Sequence, residues 1–147
     1  MLVISYLFLI IAALMDLKTG KIPNWLNALF WLLIILKTTV DSGFKGIFEI
    51  LMITIISFGI YIGLYICKAL GAGDVKLIIV LTCYWGIVKS LKITFISMIL
   101  TIIYVLLKKG IKVIFHKDTA NAYLTVKMAP FIALSVMVLQ LYSYISN

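Results

Sequence analysis

Residues 47–76 read IFEILMITIISFGIYIGLYICKALGAGDVK. Ile47 to Leu70 is a long apolar run, after which Gly71-Ala72-Gly73-Asp74-Val75-Lys76 opens another, Val75 to Val88. An apolar run of about 20 residues can cross a bilayer as a helix. A carboxylate held between two such runs is costly at membrane depth and points to function.

Four more apolar runs flank this pair: Leu2 to Met15, about Ile22 to Leu36, Ile93 to Leu107, and Met128 to Ile145. Of the 147 residues 65% are hydrophobic and 12% charged, with a mean hydropathy of +1.22, which excludes a water-soluble domain. The reading is an all-α polytopic membrane protein, one domain over residues 1–147 built as a bundle of six transmembrane helices. The expected connectors are Lys18-Thr19-Gly20-Lys21, Lys37 to Gly46, the glycine run at Gly71, Lys89 to Lys92, and Lys108 to Lys127. The first run has no basic segment before it and no small-residue cleavage site after it, so it reads as a retained helix. Any chemistry then lies among the helices.

Orientation follows from the lysines, because cytoplasmic loops carry the positive excess. Connectors one, three and five hold nine (Lys18, Lys21, Lys68, Lys76, Lys108, Lys109, Lys112, Lys117 and Lys127), and connectors two and four hold four (Lys37, Lys45, Lys89 and Lys92). Both termini are therefore expected outside, with Asp16 and Asp74 both on the cytoplasmic side. The same bias and attraction to the lipid bilayer explain the net charge of +8. With no arginine and no interleaving of aromatic and basic residues, no nucleic acid partner is expected.

The first and fourth runs, at about fourteen residues, reach only about 21 Å against a hydrocarbon core of roughly 30 Å. Their polar ends are expected to lie below the cytoplasmic surface, with water entering through a cavity. Asp16 closes the first run in the segment Asp16-Leu17-Lys18-Thr19-Gly20-Lys21-Ile22-Pro23-Asn24. Gly20 suits a left-handed helix end and Pro23 the first turn of the next helix, so the chain reverses here.

Two carboxyl groups on one side of the membrane can act as an acid and base pair, because close like charges cannot both ionise. Asp74 begins a helix, where the macrodipole favours charge, and Asp16 ends one, so Asp74 is expected to hold the charge and Asp16 the proton. The bland alternatives are an N-cap for Asp74 and a solvated interface charge for Asp16. His116 reads as a solvated loop residue, and Cys67 and Cys83 as small core residues without a disulfide. No zinc spacing occurs, and neither metal nor cofactor is expected. Asp41 and Glu49 read as outward-side solvating charges, and Gly59 with Gly63 as a close-packing pair, internal or between copies.

An aspartate followed seven residues later by the proline of Ile-Pro-Asn, then Gly-x-Gly-Asp-x-Lys opening a helix, resembles the type IV prepilin peptidases. These are membrane aspartic proteases of the GxGD class. The late segment Ala129-Pro130-Phe131-Ile132-Ala133-Leu134 resembles the family's last helix, so the likeness spans nearly the whole chain. It implies Asp16 and Asp74 as the catalytic aspartates activating water. The substrate it implies is a prepilin-like precursor with a basic leader and an apolar helix, cut after a glycine at the cytoplasmic boundary of a prokaryotic membrane.

Gly71 and Gly73 would let the substrate backbone approach, Lys18 and Lys76 would contact lipid or substrate, and Pro130 would pack near the site. The paired cysteines of the larger bifunctional members are missing, so methyltransferase activity is not expected and the chain looks like a short form. Two other readings stay open. One is a presenilin-like protease cutting within transmembrane helices, and the other a non-enzymatic proton-coupled carrier or pilus-assembly scaffold.

Overall fold

The structure, a computed structural model, describes residues 2–114 and 127–145. Six α-helices follow one another: α1 (Leu2–Thr19), α2 (Asn24–Ser42), α3 (Phe44–Ile66), α4 (Ala72–Trp85), α5 (Ile87–Ile114) and α6 (Ala129–Ile145). The described residues are thus all-α, with helices where the six apolar runs place them. Their lengths differ from expectation in an instructive way. Lys37 and Asp41 lie within α2, paired at 3.0 Å, and Lys89 and Lys92 lie within α5. The breaks fall instead at single glycines, Gly43 and Gly86, with φ of +61° and +81°.

Charge does not end a helix, since lysine is a good helix former; a residue free to take left-handed φ does. Gly20, at φ +68°, ends α1 as expected, its N–H returning to the Asp16 carbonyl at 2.9 Å. Pro23 takes the N-cap position of α2, one residue earlier than the first turn. His116 and Lys117 lie outside the described residues.

The helices close a ring, with α1 against α6 and α2, α6 against α5, and α4 against α2, α3 and α5. Tyr6 of α1 bonds Gln140 of α6 at one end and Asp16 meets Ala129 at the other, so these helices run antiparallel. The short α4 is the core helix: Val75 and the run from Leu77 to Thr82 are buried, apolar nearly all round as a wholly enclosed helix must be. Phe8 stacks on Phe30 with ring centroids 4.1 Å apart, joining α1 to α2.

Buried hydroxyls tie α3, α4 and α5 together. Ser90 Oγ lies 3.0 Å from Tyr61 Oη and 2.6 Å from Thr82 Oγ1, and each hydroxyl satisfies another where water is excluded.

Three described helices are long and apolar enough to cross a bilayer: α2, α3, and α5 over Ile87–Lys109. Outward side chains such as Phe44, Phe48 and Ile55 are apolar, as lipid contact requires. Gly59 and Gly63 have open space where a side chain would project, so the pair does not pack against another described helix. Cys67 and Cys83 are both free thiols.

After α3 the chain turns through a Schellman-type bond, Ala69 N–H to the Leu64 carbonyl at 3.0 Å. Lys68 takes the left-handed position there, at φ +57°. A side chain in that conformation costs about 1 kcal/mol relative to glycine. Lys68→Gly is therefore expected to stabilise the protein by about 1 kcal/mol, read as a higher Tm in detergent; an unchanged or lower Tm contradicts this.

Candidate active site

Asp16 lies in the last turn of α1 and Asp74 in the first turn of α4, both at the end of the bundle where α1 hands over to α2. They line one cavity of about 560 Å³ together with Gly20, Lys21, Ile22, Asn24, Gly71, Ala72, Gly73, Lys76, Lys127 and Met128. Residues far apart in sequence thus converge. Asp74 also faces a second cavity, of about 580 Å³, lined by Lys68, Thr101 and Met128 among others. The first turn of α4 is therefore open on two sides.

Asp74 occupies the third helical position of α4 behind its N-cap, Gly71. Its carboxylate reaches back to accept the Gly71 N–H, as the acidic member of a capping box does. This explains Gly71 sterically, because a Cβ there would stand 2.9 Å from Asp74 Oδ2. A Cβ on Gly73 would meet only ordinary contact with Ile22, at 3.9 Å. Lys76 lines the cavity from the next turn, and its Nζ bonds Asn24 Oδ1 at 3.0 Å.

Lys18 is exposed and is not among the cavity-lining residues. Pro130 is half-buried in the first turn of α6, where its missing N–H leaves nothing unpaired, and it does not line the cavity either.

Asp16 is 6% exposed, and its Oδ2 has no hydrogen-bond partner among the described residues. The Ala129 N–H, at the start of α6, bonds its carboxylate, and the Lys127 ammonium lies close by, itself held at 2.6 Å by the Leu17 carbonyl. Both carboxyl groups flank the apolar runs rather than lying in them, Asp16 one residue past Met15 and Asp74 one before Val75.

Burial raises the Asp16 pKa, against the Ala129 N–H and Lys127, which lower it. Burial first, and then the charge of Asp16, push Asp74 up to about 6, with the Gly71 N–H opposing. At Asp74, burial and the Asp16 charge thus outweigh the helix N-terminus, which alone would favour the ionised form. Asp16 ends its own helix but also faces the N-terminus of another, and α6 with Lys127 stabilises the charge that the end of α1 disfavours. Lys127 and Ala129 carry no catalytic signature in sequence. Only their position just before Pro130, where a helix must start, marks them.

Among the described residues no group of three His, Cys, Asp or Glu is placed to hold a metal ion. The chemistry this site offers is that of two interacting carboxyl groups beside lysines, in a cavity that opens at the bundle's end. The apolar helices around this site fit a membrane protein. The chain matches the family model of the Type IV leader peptidase family over residues 3–106, and it belongs to that family. It is accordingly a type IV leader peptidase-like protease. No curated protein and no solved structure matches the chain.

Holding Asp74 protonated has a stability consequence. Between the ordinary 3.8 and about 6 the folded state keeps a proton that the unfolded state has lost, so stability falls as pH rises through that window. At 1.36 kcal/mol per unit the loss is bounded at about 3 kcal/mol. Asp74→Asn, which still accepts the Gly71 N–H, is expected to raise the Tm at pH 7.5 and to leave it nearly unchanged at pH 4. An equal shift at both pH values contradicts the account.

Proposed function

We propose that the protein is an aspartic endopeptidase that removes the leader of a prepilin-like precursor, with Asp16 and Asp74 as the catalytic pair. The observation that carries this is the shared cavity, in which two carboxyl groups from distant parts of the chain interact. The whole chain, residues 1–147, acts as one membrane domain whose six helices cross the bilayer, with both termini outside and the cavity facing the cytoplasm.

The pair works with one proton between them. Lys127 and the Ala129 N–H favour the ionised form on Asp16, which leaves the proton on Asp74. The Asp16 carboxylate takes a proton from water, and the resulting hydroxide attacks the scissile carbonyl carbon. The Asp74 carboxyl donates its proton to the carbonyl oxygen, giving a neutral tetrahedral diol. As the diol collapses, Asp16 passes its proton to the leaving amine and Asp74 recovers one from a diol hydroxyl. The pair returns to its starting state without a cofactor.

Gly71 lets an extended backbone approach this turn, and Gly73 adds room beside Ile22. Lys76, on the cavity wall, meets the substrate, whereas exposed Lys18 meets lipid headgroups. Pro130 fixes the start of α6 and so aims the Ala129 N–H at Asp16. Because both aspartates sit at helix ends, the cut falls at the membrane boundary, where a basic leader in the cytoplasm gives way to an apolar helix. That placement favours leader removal over cleavage deep within a transmembrane helix.

Co-expression with a pilin precursor, read by gel shift and N-terminal sequencing, is expected to give processed product with the native protein and none with Asp16→Asn or Asp74→Asn. Full processing by both variants overturns the assignment. Lys127→Gln is expected to move the acidic limb of the pH–rate profile upward, because losing the cation raises the pKa of Asp16; an unmoved or lowered limb contradicts the assigned roles.

A further inference from the structure

We propose that the apolar groove between α2 and α3, floored by α4, seats the apolar segment of the substrate beside the scissile bond, and that Asn27 pairs with its backbone there. This rests on the leader-peptidase reading and deepens it. The groove, of about 560 Å³, shares Asn24, Ala72 and Lys76 with the aspartate cavity, so a chain leaving one enters the other. Its wall on α3 runs from Thr54 to Tyr65, about 16 Å or three helical turns. Its far end is closed where Trp31 Nε1 bonds Thr54 Oγ1 at 3.3 Å. The part of an apolar segment next to the scissile bond fits such a slot by chemistry.

Asn27 is the second observation. It lines this groove, is 6% exposed, and neither its amide nitrogen nor its amide oxygen has a partner among the described residues. Neighbouring Asn24, by contrast, is engaged by Lys76. A carboxamide with one donor and one acceptor to spare matches an extended peptide, which presents an N–H and a C=O on the same edge. A substrate helix must unwind to reach the aspartates, and its freed backbone groups need partners in a site poor in water. Asn27 supplies two, once the side chains closing over its amide give way to the seated peptide. A lipid acyl chain would fill the same groove but offers nothing to pair with the amide, so the occupant is the peptide.

The test uses the full protein in phosphatidylethanolamine–phosphatidylglycerol vesicles. One synthetic substrate carries a lysine-rich leader, a glycine and an apolar segment of about 20 residues. A second stops just past the scissile bond. With p-benzoylphenylalanine at position 58 in the groove wall, light is expected to cross-link the protein to the long substrate's apolar segment, also in the Asp16→Asn background where nothing is cut. Ala28→Trp, which fills the groove from an exposed position, is expected to lower kcat/KM for the long substrate about 10-fold more than for the short one.

Asn27→Leu is expected to raise the Tm, by removing an unpaired buried amide, while lowering kcat/KM. Cross-links to lipid alone, an Ala28→Trp effect equal on both substrates, or full activity of Asn27→Leu each overturn the proposal. If the native protein cuts neither substrate, the leader-peptidase reading fails. Cross-linking from position 58 then decides the groove by itself.

Discussion

Bringing two carboxyl groups into one cavity at the end of an apolar bundle is the constraint around which the other features arrange themselves. The two groups cannot both be left fully charged there, since burial and mutual repulsion oppose it. The fold answers with a few fixed partners, the Gly71 N–H for Asp74 and the Ala129 N–H and Lys127 for Asp16. A single proton accommodates the rest. In the proposed mechanism the same balance that makes the pair tolerable makes it reactive, because it holds a base and an acid side by side.

The position of α4 follows from this need. It is only 14 residues long and packed by α2, α3 and α5, with two cavities at Asp74 in its first turn. Hydroxyl bonds among Tyr61, Thr82 and Ser90 fix its far half, which lets the near half present a cavity without loosening the bundle. Two cavities meet at Asp74, opening the first turn of α4 on two sides.

Much of this was legible in the sequence because it is local. Apolar runs separated by turn residues gave six helices, and the glycine of Asp16–Asn24 ended α1 as turn chemistry requires. Charged clusters were poorer guides: Lys37 and Lys89 sit inside helices, and single glycines at 43 and 86 make the breaks. A charge at an aqueous interface leaves helix propensity intact, so it marks the membrane surface rather than the helix end. The partners of the aspartate pair escape a local reading for a different reason. The dipole argument counted only each residue's own helix, whereas Asp16 answers to the start of α6, more than a hundred positions away in the chain. Asn27 carries no signal of its own in sequence, as one polar residue in an apolar run, and only the groove around it sets it apart.

The coupling of the two carboxyl groups is directly measurable by following their ¹³C-carboxyl signals through a pH titration, in the native protein and in Asp16→Asn. The account predicts that Asp74 titrates near 6 in the native protein and falls back toward the ordinary carboxylate range once the charge at position 16 is gone. An Asp74 that titrates at the same pH with and without Asp16 would contradict it.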